Sequence, residues 1–329
     1  MISDISAHRT TVFQHTRSLK VNMDRSSFTD DDMLAWKKLW STFLTAMRSL
    51  SSLKLQVASD GMGRNRAEHM NNVIRLDRLR GAPTTSIISP TPLRTSYVSL
   101  SWDFRESLNP ELTAEVSSLL GRCSNLERVF FGMMARHQMK WILNPQPFAT
   151  LIESWSLLEW SLKLRELVTR GVTVSPEDLI SNIRHLRSLK DLTIVSYHTL
   201  ADPGKSFDVL RKEDIHLGTI SIPALHPPEI IEYISSFTGL EGFSIKSYDT
   251  RDDTQPLIHQ LFSALQRHCI TLRSLTIYVY RISPWQEISR NHFSESAELF
   301  QSLEELDVHE YISAEDVRVN NAEPLLAWL

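Results

Sequence analysis

Three consecutive carboxylates, Asp30-Asp31-Asp32, carry the charge needed to hold divalent cations. An aspartate-rich site of the kind used by prenyl-diphosphate enzymes also needs further acids facing the run across a helical cavity. Here the run leads into Met33, Trp36, Leu39, Trp40 and Phe43, apolar residues at helical spacing. Acids in a first helical turn are already favoured by the helix dipole, so the run is read as a helix start and no metal is assigned.

The thiols are the next candidates. Cys123 and Cys269 stand three residues before Leu126 and Leu272, where equivalent positions hold Phe13, Met47, Leu186, Phe237 and Phe300. That pattern describes a buried slot, in which a free cysteine behaves as a small hydrophobe. Two cysteines cannot form a disulfide framework, which points to a reducing compartment. Tyr197, Tyr248, Tyr280 and Tyr311 recur at one offset and are read as a stacked interior column, each hydroxyl needing a polar partner. The twelve His are scattered, and with 10 Gly no phosphate-cradling loop, Gly-x-Ser-x-Gly elbow or His-Glu-x-x-His helix is present. No catalytic residue, cofactor or metal is assigned, and the chain is read as not an enzyme.

The elements that must position these residues follow from one apolar phrase, Leu-x-x-Leu-x-Ile. It is clearest at Leu189, Leu192, Ile194; at Leu240, Phe243, Ile245; at Leu272, Leu275, Ile277; and at Leu303, Leu306, Val308. Aligned starts fall at Thr16, Leu50, Tyr97, Leu126, Leu164, Leu189, Leu217, Leu240, Leu272 and Leu303. Helix-like stretches precede them. Ser175-Pro176-Glu177-Asp178 supplies an N-cap, a proline at the first helical position and early acids. Asn109-Pro110-Glu111 and Gln255-Pro256 open similar runs. Asp60–Arg66, Gly81–Thr85, Asn144–Pro147 and Ala201–Lys205 read as loops.

One helix and one short strand cannot bury their own apolar faces, so such units must stack. The expected fold is α/β, a leucine-rich-repeat solenoid, or horseshoe, of irregular helix–strand repeats with a parallel sheet on its concave face. Residues 1–329 are read as a single degenerate domain of about ten repeats. The early start at Thr16 and the apolar end Pro324–Leu329 suggest a missing N-terminal module and C-terminal cap.

Strand side chains alternate, so residues between the apolar positions should line the concave face. The candidate protein-binding residues there are Glu166, Arg170, Asp191, Thr193, Lys246, Thr276, Tyr278, Glu305, Asp307 and His309. They mix both signs of charge, which favours polar complementarity to a protein. Net charge is −4 with a pI near 6.3, without the basic footprint of nucleic-acid binding. No apolar run reaches the roughly 18 residues of a membrane span, and no signal peptide is visible. Cytoplasm or nucleus is the expected location.

Three segments carry a family resemblance: Cys123-Ser124-Asn125-Leu126-Glu127-Arg128-Val129, Leu186–Ile194 and Leu272–Ile277. Through them the chain resembles the leucine-rich part of fungal F-box/leucine-rich-repeat proteins. The resemblance implies recognition of a protein substrate for a cullin-based ubiquitin ligase. A Skp-type adaptor and cullin would be reached only through an F-box, which does not precede Thr16. Pro227–Ile234 resembles an F-box opening, but a strand phrase follows at once, so it is read as a repeat helix. The alternative is a free-standing leucine-rich-repeat scaffold with no ubiquitin role.

Overall fold

In the computed structural model each described apolar phrase leads into a strand. The structure describes residues 17–24, 50–58, 95–103, 110–134, 146–194, 203–223, 228–247, 255–280 and 302–311. The chain divides into two compact units, Met1–Ser188 and Leu189–Leu329.

The first unit contains β1 (Ser18–Asp24), β2 (Ser52–Ala58), β3 (Tyr97–Asp103), β4 (Arg128–Met134), β5 (Gln146–Pro147), β6 (Glu166–Arg170) and β7 (Val172–Thr173). β1, β2, β3, β4 and β6 lie side by side in that order, all parallel. β5 and β7 form a separate short parallel pair. Parallel neighbours need a crossover between them. Described crossovers are α1 (Pro110–Arg122), then α2 (Phe148–Ile152) followed by a 3₁₀ helix, Glu153–Leu157; α3 (Pro176–Ser181) and α4 (Ile183–Leu186) close the unit.

The second unit contains β8 (Asp191–Ile194), β9 (Thr219–Ile222), β10 (Gly242–Ser247), β11 (Ser274–Tyr280) and β12 (Glu305–Tyr311), also parallel in chain order. α5 (Pro203–Lys212), α6 (Pro228–Ser235) and α7 (Gln255–Gln266) are its crossovers. Both units are thus α/β with parallel sheets.

Alternation decides which side of each sheet is core. Along β6, Leu167 and Thr169 are buried while Glu166, Val168 and Arg170 are half-buried. In the first unit Leu53, Val98, Val129 and Leu167 align across neighbouring strands, all buried. In the second, Leu192, Ile220, Phe243 and Leu275 do the same. Each such side chain contributes about 1.5–3 kcal/mol by leaving water.

A repeated backbone bridge marks where each strand begins. One carbonyl accepts from two consecutive N–H groups of the next repeat. In the first unit Arg17 O receives Ser51 and Ser52, Ser51 O receives Ser96 and Tyr97, Ser96 O receives Glu127 and Arg128, and Glu127 O receives Arg165 and Glu166. In the second, Lys190 O receives Gly218 and Thr219, Gly218 O receives Glu241 and Gly242, Glu241 O receives Arg273 and Ser274, and Arg273 O receives Glu304 and Glu305. Side chains join some bridges: the Ser51 hydroxyl donates to Arg17 O at 2.9 Å and that of Ser96 to Ser51 O at 3.3 Å.

This bridge corrects the third phrase. Elsewhere the strand starts two residues after the aligned apolar position, but β3 starts at Tyr97 itself, paired with Ser52 and Arg128. The equivalent of Leu50 and Leu126 is therefore Thr95. It is fully buried, and its hydroxyl donates to Leu50 O at 3.2 Å. A β-branched polar residue satisfied by the preceding repeat occupies a leucine's place.

The helix starts follow the sequence grammar. Ser175 caps α3 in a closed capping box: Asp178 N–H donates to the Ser175 hydroxyl at 3.1 Å, and Ser175 N–H to the Asp178 carboxylate at 3.0 Å. α1 and α7 begin at Pro110 and Gln255. Pro227–Ile234 contributes α6, whose Ile230, Ile231, Tyr233 and Ile234 are buried. Pro203-Gly204-Lys205 is the first turn of α5, not a loop, because proline suits the first helical turn. Gln146–Pro147 is β5, likewise not a loop. Asp30–Asp32, Thr16, Asn144–Pro145, Ala201–Asp202, residues 60–66 and 81–85, and Pro324–Leu329 lie outside the described residues.

Candidate functional site

The side of each sheet away from the core offers polar side chains in register. In the second unit Asp191 aligns with Thr219, Gly242, Ser274 and Glu305. The next row runs Thr193, Ser221, Ser244, Thr276 and Asp307, four hydroxyls and one carboxylate. By backbone register alone, Lys246 pairs with Tyr278 and Tyr278 with His309. Within the first row the Ser274 hydroxyl donates to Glu305 at 3.2 Å. The strand order thus brings the second-unit candidates Asp191, Thr193, Lys246, Thr276, Tyr278, Glu305, Asp307 and His309 onto matching rows. Glu166 and Arg170 belong to the first unit, paired in register with Arg128 and Gly132.

The same side of the first unit has a different chemistry, which the candidate set omits. The exposed Lys54 ammonium lies 5.6 Å from the centre of the Tyr97 ring, and the exposed Arg128 guanidinium 5.3 Å from it. Both distances are within cation–π range. Phe130, half-buried and two residues beyond Arg128, lies with its ring across Gly132. A Cβ at 132 would sit 2.4 Å from the ring edge, so only glycine leaves the ring this place. The signal that would have found this cluster is the true register: with Thr95 as the buried position, Tyr97 faces outward beside Arg128.

Inside, the described polar groups that tie one helix–strand unit to the next are two histidines and Tyr233. Tyr197 and Tyr248 lie outside the described residues, while Tyr280 and Tyr311 pair in register at the strand ends. His185 and His268, both fully buried, share one arrangement. Leu162 N–H donates to His185 Nδ1 at 3.1 Å, which leaves Nε2–H to donate to Trp155 O at 3.0 Å. Leu240 N–H donates to His268 Nδ1 at 3.1 Å, and its Nε2–H donates to Ile234 O at 3.0 Å. Tyr233 does the same with one oxygen, accepting from Leu217 N–H at 3.0 Å and donating to Ile215 O at 2.8 Å. Each side chain satisfies two backbone groups of the preceding repeat.

Burial holds both imidazoles below their ordinary pKa, with Arg184 and Arg267 pushing the same way and the carbonyl bonds opposing. Burial also pushes the Tyr233 hydroxyl up. Arg184 reinforces the first tie: its Nη2 reaches Leu158 O at 2.6 Å and Trp155 O and Ser156 O at 3.3 Å. These are carbonyls at the end of the 3₁₀ helix. Its Nε lies 3.0 Å from His185 Nε2, a nitrogen already committed as a donor, so the Nη2 bonds carry the contact.

The cysteine slot divides. Cys123, Leu186 and Phe237 are buried, whereas Cys269 is only half-buried. Beside it His268 takes the inward place. The Cys123 thiol donates to Leu119 O at 3.3 Å, and burial pushes its pKa up to about 12, which leaves it unreactive near neutrality. Phe13, Met47 and Phe300 lie outside the described residues. Among the described residues no group of three or more His, Cys, Asp or Glu is placed to hold a metal ion, and no helix is long and apolar enough to cross a membrane.

No protein-family model matches this chain, and no curated protein matches it.

Proposed function

We propose that the chain is a non-catalytic protein-interaction module, a stack of leucine-rich-type repeats that recognises the substrate of an F-box/leucine-rich-repeat ubiquitin ligase. The observation that carries the binding reading is the repeated carbonyl bridge. It starts successive strands alike and so lines up the intervening side chains in rows on one side of each sheet. Rows of hydroxyls, carboxylates and cations suit polar complementarity to a protein surface. The ubiquitin role rests on the resemblance of the Leu186–Ile194 and Leu272–Ile277 segments to that family. In this reading the protein works in the cytoplasm or nucleus and meets a Skp-type adaptor through an F-box encoded upstream.

A free-standing scaffold is the second reading. It is favoured by α6, where the segment resembling an F-box opening is spent on packing, with Tyr233 bonded to the preceding repeat. Mapping the 5′ end of the transcript and purifying the tagged gene product separate the two. An in-frame F-box with co-purifying Skp-type adaptor supports the ligase reading. A start at Met1 with partners but no adaptor supports the scaffold.

A further inference from the structure

The aromatic–cationic cluster on the first unit is better defined than the polar rows, and it has a definite complement. Tyr97 is shared by the exposed Lys54 and Arg128. Neither cation makes a salt bridge to a carboxylate among the described residues, although Glu166 is the register neighbour of Arg128. Two like charges gathered at one ring repel one another unless an anion joins them. Beside them Phe130 is held across Gly132, with the half-buried Val168 next to it in register. A partly exposed ring that need not reorient to bind loses little entropy when a partner covers it. The site therefore offers an apolar contact flanked by cations.

Resting on the protein-interaction reading, we propose that this face of the first unit docks an acidic protein segment, an apolar side chain packing on Phe130 and Tyr97 and neighbouring carboxylates meeting Lys54 and Arg128. The complement is a peptide, not a nucleic acid. A polyanion is held by many phosphate contacts from a basic surface, and this chain carries 39 acids against 35 Lys and Arg. Aromatic and arginine side chains grouped in this way are also those that dominate protein interfaces.

Selection of a displayed random-peptide library on the purified full chain tests this, followed by affinity measurement on synthesised winners. Wild type should enrich peptides that pair Asp or Glu with an aromatic or aliphatic residue. Phe130→Ala, and Gly132→Val, which evicts the ring, should each weaken the winners by about tenfold or more. Lys54→Glu with Arg128→Glu should abolish the acidic preference. Circular dichroism melts establish that each variant is folded, and the exposed charge reversals should melt as wild type does. Winners without acidic bias, or winners indifferent to these replacements, overturn the proposal and leave the interaction reading standing. Failure to enrich any peptide counts against both. A single-stranded oligonucleotide that binds as tightly as the winners, and is lost in the charge-reversed variant, overturns the peptide in favour of nucleic acid.

Discussion

His185 and His268 can tie their helices to the preceding repeat only as neutral rings, because a protonated Nδ1 has no lone pair for the Leu162 or Leu240 N–H. Both folded pKa values lie below the ordinary 6.5. On acidification the unfolded chain therefore takes up protons first. The stabilisation is fully present above about pH 6.5 and is lost as pH falls through the folded values. Urea midpoints should be level from pH 8 to pH 7 and fall below pH 6.5. In the His185→Leu/His268→Leu variant that acid slope should shrink, while stability at pH 8 drops by about 1–3 kcal/mol per site because backbone groups lose their partners. Equal slopes would remove the histidines as its cause. Tyr233→Phe should cost a similar amount without adding pH dependence in this range. These residues were partly legible. Arg184-His185 and Arg267-His268 both stand at one offset before Leu189 and Leu272, a shared dipeptide hidden among scattered histidines. Tyr233 has no such cue, because its partners Leu217 and Ile215 are backbone groups that any residue could present.

Between elements, close approach is set by small residues that a periodicity argument does not see. α1 meets the 3₁₀ helix through Ser117 and Ser154: Ser154 N–H donates to the Ser117 hydroxyl at 2.7 Å, and the Ser154 hydroxyl donates to Ser117 O. Gly121 permits this, since a Cβ there would lie 2.8 Å from Ser154 Oγ and 2.9 Å from its Cβ. In an open helix Gly→Ala gains about 1 kcal/mol. Here overpacking should reverse the sign, so Gly121→Ala should lower stability by about 1–2 kcal/mol. In a Ser154→Gly background the same replacement should regain most of that loss, read as a coupling energy from denaturant melts. A purely additive cycle would refute the contact. Helix starts such as Ser175-Pro176 were legible because capping and proline chemistry is local. The register of β3 was not, because Thr95 meets its need through Leu50 O, a partner distant in sequence. That slip also concealed the outward face of Tyr97.

At the scale of the molecule, the α/β class with parallel strands was legible from one phrase recurring with helices between. The division at Ser188 was not, because no break in composition marks it. Nor was the difference in face chemistry between the units, since it depends on which residues share a row. Equivalent positions also need not be equally buried, and stability should follow burial, not the motif. Leu275 and Leu306 are register partners, yet Leu275 is 0% exposed and Leu306 50%. Leu275→Asp places an uncompensated carboxylate in the core of the second unit and should cost several kcal/mol, about 4 or more. Leu306→Asp leaves its charge in water and should cost about 1 kcal/mol or less. Hydrogen exchange adds a spatial readout, because a strand in a parallel sheet is protected by the core beneath it and by the strands on either side. Protection in β10 and β11 should collapse in the first variant and persist in the second. Equal costs would mean that the repeated phrase alone sets stability, and the burial that distinguishes β11 from β12 would then have no energetic meaning.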